Sequence, residues 1–227
     1  MSDISRERLK RIAKEPTPRR RDTAQKLVAA AAEIIAEVGM SGASVQQICT
    51  RAGFTRGAFY SSYRDVDHLL VDLIEDRAAL LDDVLARTVS PTVCKDHDRD
   101  READALTQAA LHIGLALPLE RDFYLLHDEL VLYGARHAHI GELMRSYDER
   151  LEAGIASLIE RVLSGTGYRL DVAPARAASL VLAVCERFYR ALLLRPARDE
   201  QATRERVVDF VTQAVPLVLT SVTTYRG

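Results

Sequence analysis

The residues from Ser44 to Tyr63 carry side chains and spacings suited to contact with a nucleic acid. Their sequence is SVQQICTRAGFTRGAFYSSY. Thr55 can cap a helix whose free N–H groups attract a phosphate. Arg56 follows directly, and a guanidinium there can pair with O6 and N7 of guanine. Gly57 and Ala58 have almost no side chain, so the backbone can approach a duplex closely.

Two short helices separated by a tight turn must position these residues. The first is predicted to run to Ala52 with Ser44 as its N-cap, and the second from Thr55 to about Ser62. Gly53 supplies a turn conformation that a side chain would resist, and the small Ala52 lets the helices cross closely. The pattern therefore predicts a helix-turn-helix, whose second helix can enter the major groove of DNA.

Helical periodicity extends over most of the remaining chain. A helix is predicted from Asp22 to Gly39, which would end it in a left-handed turn, and a long helix from Asp65 to near Pro91. Further helices are predicted at about 103–117, 120–134, 139–164, 173–195 and 200–223. Pro216 should kink the last helix or end it early. No alternating strand pattern of useful length occurs, so the fold class is all-α.

Charge is unevenly distributed along the sequence. Residues 1–64 contain 12 Lys or Arg and six Asp or Glu, a net charge of +6; because the whole chain carries −2, the remainder carries −8. A basic end joined to an acidic body indicates that one end meets a polyanion. We expect residues 1–21 to form a flexible basic arm that contacts DNA through Arg19, Arg20 and Arg21. A merely solvated tail is the alternative.

A tighter pattern lies within the helix-turn-helix: Ile48-Cys49-x-x-Ala52-Gly53-Phe54-Thr55-x-Gly57-x-x-Tyr60-x-x-Tyr63, followed by Leu69. This pattern resembles the TetR-type family of transcriptional regulators. The strong resemblance covers roughly residues 22–75, and the remainder is similar in the number and order of its helices. It implies about nine helices, with a helix-turn-helix DNA-binding domain over 22–82 and an effector-binding and dimerisation domain over 83–227.

The resemblance implies DNA contacts at matching positions. Ser44 stands where the family has a phosphate-contacting Thr or Ser, and Tyr60 matches an aromatic residue that contacts phosphate. The start of the recognition helix and Tyr63 belong to the same pattern. The candidate DNA-binding residues are Arg19, Arg20, Arg21, Ser44, Thr55, Arg56, Gly57, Ala58, Tyr60 and Tyr63.

Two departures from the family pattern concern phosphate binding. Ser62-Tyr63 replaces the usual His-Phe pair, and Val66 stands where the family commonly has Lys, between Asp65 and Asp67. A phosphate-binding cation is therefore missing. Arg64 or the basic arm would have to replace it.

The last two predicted helices, 173–195 and 200–223, indicate a homodimer. The first has apolar residues on nearly every side, more than one neighbouring helix can cover. Pairing with a second copy would form a two-fold four-helix interface, whereas burial within one subunit is the alternative. A two-fold dimer would recognise a palindromic operator. In the TetR-type family, binding of a small effector usually releases the DNA.

The effector is expected to be apolar or aromatic, because pockets in Leu-rich helical domains are mostly apolar. His127 shares a stripe with three apolar residues of helix 120–134, Phe123, Leu126 and Leu130, although a satisfied core histidine is the alternative. Tyr147 lies on the apolar face of helix 139–164. The candidate effector-binding residues are Leu106, Ile113, Phe123, His127, Leu130 and Tyr147.

Catalytic and metal functions have little support in the sequence. It contains no P-loop, GxSxG or HExxH motif, so we expect neither an enzyme nor a cofactor. The six histidines include the closely spaced His137 and His139, but this spacing suits a loop better than a metal site. The cysteines, Cys49, Cys94 and Cys185, have no ligand spacing and are expected to be buried thiols, with a thiol sensor as the alternative.

One other class of protein fits the composition. Its 48% hydrophobic and 28% charged residues are typical of a globular chain. No apolar stretch approaches the roughly 18 residues that cross a bilayer, and the charged N-terminus does not resemble a signal peptide, so we expect a cytoplasmic protein. The competing hypothesis is an all-α interaction protein whose basic arm binds an acidic partner or RNA. Such a protein would lack sequence-selective binding to duplex DNA.

Overall fold

The computed structural model describes residues 18–87, 121–164, 167–194 and 200–225. Within these ranges there are eight α-helices and one two-stranded sheet. The chain divides into two compact units, Met1–Leu73 and Ile74–Gly227. The predicted helix at 103–117, with Leu106 and Ile113, lies outside the described residues. The proposed functional boundary at residue 82 stays a prediction.

The first unit is built from three helices and the start of a fourth. They are α1 (Pro18–Val38), α2 (Val45–Ala52), α3 (Arg56–Ser62) and α4 (Val66–Arg87), with a 3₁₀ turn at Met40–Gly42. α1 packs against both α2 and α3. The most deeply buried side chains of this unit come from all four helices: Leu27, Ile35, Ile48, Phe59, Leu69 and Leu70.

Two details of α1 differ from the sequence prediction. The helix already includes Pro18–Arg21, which the sequence pattern assigned to the arm. Gly39 ends α1 with a positive φ of 76°, but its ψ of 172° lies outside the left-handed helical region. The N–H of Gly39 donates to the carbonyl of Ile35 over 2.9 Å, and the chain then enters the 3₁₀ turn.

The second unit contains the end of α4 and four further helices. These are α5 (Arg121–Gly134), α6 (Ala138–Leu163), α7 (Pro174–Leu193) and α8 (Glu200–Ser221). α6 packs against α5 and α7, and α7 also packs against α8. The tight connection from α5 to α6 depends on two glycines, because a Cβ on Gly141 would lie 2.7 Å from the carbonyl oxygen of Gly134.

A short antiparallel sheet was not predicted. It joins β1 (Tyr168–Leu170) to β2 (Thr223–Tyr225), with Tyr168 opposite Tyr225. Each strand has three residues, which is too short for an alternating pattern to be recognised in a sequence. The all-α fold class is confirmed, with this sheet as a minor addition.

The sequence predicted that Pro216 would either kink the last helix or end it early. The early end is wrong. α8 continues to Ser221, and the hydroxyl of Thr220 donates to the carbonyl of Pro216 over 2.8 Å. Val215 and Leu219 are 1% and 0% exposed. Their burial on both sides of Pro216 stabilises the helix against the loss of one backbone hydrogen bond. None of the described helices is long and apolar enough to cross a membrane.

Candidate DNA-binding interface and effector cavity

A reciprocal cap fixes the start of α2. The N–H of Gln47 donates to Oγ of Ser44 over 3.3 Å, and the N–H of Ser44 donates to Oε1 of Gln47 over 3.1 Å. Ser44 is the predicted N-cap, and it is exposed. Two backbone N–H groups that would otherwise lack partners are satisfied, so the orientation of α2 is set locally.

The turn between α2 and α3 depends on Gly53. Its φ of 72° and ψ of 29° are left-handed, a conformation that a side chain resists, as predicted for this turn. Across the turn, the N–H of Phe54 donates to the carbonyl of Cys49 over 2.9 Å, and Sγ of Cys49 donates to the carbonyl of Thr55 over 3.6 Å. Burial raises the pKa of the Cys49 thiol, although the nearby Arg56 opposes this. The buried thiol therefore forms part of the turn.

The outer face of α3 presents the predicted contact residues to solvent. Oγ1 of Thr55 accepts the N–H of Ala58 over 3.2 Å and caps the helix. Arg56 and Gly57 are exposed, and a Cβ on Gly57 would meet only Oγ1 of Thr55, at 3.7 Å. Tyr60 is 53% exposed. This face thus combines the guanidinium of Arg56, the exposed backbone at Gly57 and the phenol of Tyr60.

Tyr63 is not part of that exposed face, contrary to the role the family pattern implied. Its side chain is 3% exposed, and its hydroxyl donates to Oδ2 of Asp72 over 2.8 Å. Its ring lies 5.8 Å from that of Phe59, which is fully buried. Four residues separate Phe59 from Tyr63, so both fall on the inner side of α3. Tyr63 therefore packs α3 onto α4.

Arg64, which was expected to replace the missing phosphate-binding cation, is paired with the neighbouring carboxylate of Asp65. Nε of Arg64 donates to Oδ2 of Asp65 over 2.8 Å, and the Arg64 side chain is 84% exposed. Oδ1 of Asp65 accepts the N–H of His68 over 2.9 Å, so Asp65 caps the start of α4. The hydrogen bond from Arg64 and that from the His68 backbone hold the pKa of Asp65 below its usual range. An exposed pair of this kind is weak, so a phosphate can compete for Arg64.

Ion pairs between α1 and α2 were not predicted from the sequence. The guanidinium of Arg51 donates to Glu33 over 3.1 Å and to Glu37 over 2.7 Å. The hydrogen bond from Arg51 holds the pKa of Glu37 below its usual range. The four-residue spacing of the two glutamates on one helix was the available signal. Arg51 is therefore engaged within the protein, whereas Arg56 carries its charge on the outer face of α3.

The predicted arm residues lie at the start of the described chain. Arg19, Arg20 and Arg21 are exposed on the first turns of α1. Further along the same helix, Nζ of Lys26 pairs with Asp22 over 2.8 Å. The three arginines are thus carried by a helix rather than by an extended segment.

In the second unit, four predicted effector residues line a single cavity. Phe123, His127 and Leu130 come from α5, and Tyr147 from α6. The cavity encloses about 220 Å³ of space, including solvent at its opening. Burial, opposed by the charge of Arg77, raises the pKa of Tyr147 to about 12. Leu106 and Ile113, predicted to belong to the same site, lie outside the described residues.

Arg77 of α4 also lines this cavity, and the sequence pattern did not identify it. Its guanidinium carbon lies 4.8 Å from the centre of the Phe123 ring, within range of a cation–π interaction. Ile74 and Met144 complete the lining. No spacing rule within one helix could have paired Arg77 with Phe123, because they lie on different helices.

His127 combines burial with two carboxylate neighbours. Its side chain is 18% exposed, Nε2 lies 3.2 Å from Oδ1 of Asp148, and Nδ1 lies 3.6 Å from Oδ1 of Asp128. Burial lowers its pKa, but the hydrogen bond and charge of Asp148, together with Asp128, outweigh burial and raise it. Among the described residues, no group of three or more His, Cys, Asp or Glu is arranged to hold a metal ion.

Comparison with known protein families supports the helix-turn-helix of the first unit. Residues 27–73, which contain α2 and α3, match the model of the bacterial regulatory proteins of the tetR family. No curated protein matches the sequence.

Several solved structures share the fold at low sequence identity. A TetR-family transcriptional regulator from Mesorhizobium loti is 20% identical, with a TM-score of 0.65 over 88% of this chain and 98% of that one. SmeT of Stenotrophomonas maltophilia, the repressor of the multidrug efflux pump SmeDEF, is 16% identical, with a TM-score of 0.58 over 88% and 90%. FadR of Bacillus subtilis, solved with stearoyl-CoA, is 11% identical, with a TM-score of 0.62 over 87% and 98%.

Proposed function

We propose that this chain, with the fold and the helix-turn-helix of TetR-family transcriptional regulators, is a repressor released from a palindromic operator by a small effector. The exposed face of α3 carries the proposal. It presents Arg56 and Tyr60 outward, while Phe59 and Tyr63 hold the helix from beneath. A helix fixed on one side and polar on the other suits the major groove.

Each exposed side chain has a separate role in this proposal. Arg56 reads a base edge, where a guanidinium pairs with guanine. Gly57 and Ala58 let the backbone approach the duplex, since a Cβ on Gly57 would have no close neighbour within the protein. Ser44, Thr55, Tyr60 and the three arginines of α1 contact phosphates and position the helix without reading sequence.

A homodimer follows from exposed apolar surface on α7 and α8. Leu180 is 42% exposed, Val208 49% and Leu217 71%. Pairing these helices with a second copy would remove this surface from water, at about 25 cal/mol per Å² buried. The resulting two-fold symmetry would require an operator with two inverted half-sites.

The effector would bind the cavity lined by Phe123, His127 and Tyr147. The structural neighbours support this reading, because SmeT is a repressor and FadR was solved with stearoyl-CoA. Binding of a ligand shifts the equilibrium towards whichever dimer conformation it favours. Release requires that this conformation fits the operator less well.

Selection from a random pool of duplex DNA, at fixed salt, tests the DNA-binding part. We expect recovery of a palindrome that Arg56→Ala binds weakly. Arg161→Ala is the matched control, because it removes the same charge from an exposed site on α6. Only salt-sensitive binding without a preferred sequence would contradict the proposal and favour an interaction protein whose basic arm binds an acidic partner or RNA.

The direction of regulation needs a second measurement. Transcription from a promoter overlapping the recovered palindrome should fall when the protein is added. Arg161→Ala should lower it equally, whereas Arg56→Ala should not. A rise in transcription with the wild type would identify an activator.

A further inference from the structure

A second cleft lies between α5, α6 and α7 in the second unit. It encloses about 510 Å³, including solvent at its mouth. Phe123 and His127 line both this cleft and the smaller cavity described above. The two spaces therefore share one wall.

Carboxylates predominate among the charged groups of the cleft. Asp128, Asp148 and Glu186 line it, whereas Arg190 is the one Lys or Arg among its described lining residues. Nε of Arg190 lies 3.8 Å from Asp128, which is too long for a hydrogen bond. A protonated His127 would balance one further carboxylate, and a net negative charge would still remain.

Glu186 is the least engaged of these carboxylates. Asp128 and Asp148 both lie beside His127, but Glu186 has no hydrogen bond or ion pair among the described residues. Its charge nevertheless acts on the cleft, because burial and then Glu186 raise the pKa of the Cys185 thiol to about 12. Glu186 is exposed at the mouth of the cleft, and a carboxylate with no ion-pair partner among the described residues attracts a positively charged ligand.

Aromatic rings lie beside these carboxylates. Phe123 and Tyr124 line the cleft with their rings edge to face, 5.4 Å apart. Tyr124 also stacks on Tyr189 at 3.8 Å, although Tyr189 is not among the described lining residues of the cleft. The contact of Arg77 with Phe123 places a cation against one of these rings in the protein itself.

We propose that this cleft binds an organic cation, with its aromatic or apolar body against Phe123 and Tyr124 and its positive group beside Glu186. An aromatic face and a carboxylate both attract such a group, and the attraction grows when water is excluded. The inference rests on the proposed function, since it names the chemical class of the effector and extends its site from the cavity into the adjoining cleft across Phe123 and His127. It narrows the apolar or aromatic effector expected from the sequence to one that carries positive charge.

Three probes with a common 4-phenylbutyl tail test the charge preference by isothermal titration calorimetry. One ends in trimethylammonium, one in the neutral tert-butyl group of the same shape, and one in sulfonate. We expect the full chain to bind the ammonium about tenfold or more tightly than the sulfonate, with the neutral probe between them. Equal affinities, or tighter binding of the sulfonate, would overturn the proposal.

Two variants with opposite expected signs locate the binding. Glu186→Gln should weaken ammonium binding about three- to tenfold and leave the neutral probe unchanged, whereas Arg190→Gln should strengthen ammonium binding. Glu160→Gln, on an exposed position of α6 outside the cleft, is the matched control. Ammonium binding that is unaffected by Glu186→Gln would place the cation elsewhere and contradict the assignment.

The same titrations in the presence of the selected operator separate the two proposals. Ammonium binding that depends on Glu186 but leaves the operator bound would support the cation site and contradict its role in release. Failure of all ammonium binding, with DNA binding still sensitive to Arg56→Ala, would overturn the cation site alone.

Discussion

The two compact units differ in where their functional side chains lie relative to the packing. In the first unit, Arg56 and Tyr60 face solvent, and the packing below them uses other residues, Phe59 above all. In the second, Tyr147 is 4% exposed and lines a cavity while it also packs the helices. Substitutions of functional residues should therefore not lower the free energy of unfolding in the first unit. In the second unit they should lower it, because the same side chains line the cavity and pack the helices. Four predictions test this difference.

The largest effect is expected at the α5–α6 connection. A Cβ at Gly141 would lie 2.7 Å from the carbonyl oxygen of Gly134, and backbone cannot move aside as a flexible side chain can. We expect Gly141→Ala to lower the free energy of unfolding by about 1–3 kcal/mol or more, measured by urea denaturation. An unchanged midpoint would show that the connection tolerates a side chain.

Tyr60 on α3 and Tyr63 at its C-terminal cap provide a matched pair within the first unit. Tyr63→Phe removes the hydrogen bond to Asp72 and should cost about 1.5 kcal/mol of unfolding free energy, since such bonds to charged groups contribute about 1.5–3 kcal/mol. Operator affinity should be unchanged. Tyr60→Phe should show the reverse: weaker operator binding by fluorescence anisotropy and an unchanged melting temperature. Equal effects on both properties in both variants would contradict the separation.

Gly57→Ala should move stability and DNA binding in opposite directions. Alanine is favoured over glycine in a helix by up to about 1 kcal/mol, and the site has room for a Cβ. We expect a slightly higher melting temperature and weaker operator binding, because the added methyl group would meet the duplex. Stronger or unchanged DNA binding would show that the backbone does not approach DNA at this position.

The smallest effect is a pH dependence that arises from His127. Its folded pKa is raised, so its stabilising contribution is fully present below the pKa of the unfolded chain and is lost as the pH rises through the folded pKa. We expect His127→Gln to flatten the unfolding free energy over this interval. His137→Gln, at an imidazole beside a backbone carbonyl rather than a carboxylate, is the control. Identical pH profiles of wild type and His127→Gln would contradict the assignment.

The success of sequence prediction also differs between the units. The caps Ser44 and Thr55 and the turn at Gly53 were predicted because each depends on residues only a few positions away. Phe123, His127 and Tyr147 were proposed as pocket residues from their helical stripes together with the family resemblance; they line one cavity, and effector binding there stays a prediction. The burial of Tyr63 was missed because the family pattern gives the kind of residue at that position but not its surroundings.

By itself, the sequence determined the all-α fold class, the helix-turn-helix and the uneven charge, since these follow from local periodicity, capping and residue counts. Only the tertiary structure decided which distant groups meet: Arg51 with Glu33 and Glu37, Tyr63 with Asp72, His127 with Asp148, and Arg77 with Phe123. Each pair joins different helices. Their contacts depend on how those helices pack, and no periodicity within a single helix encodes that packing.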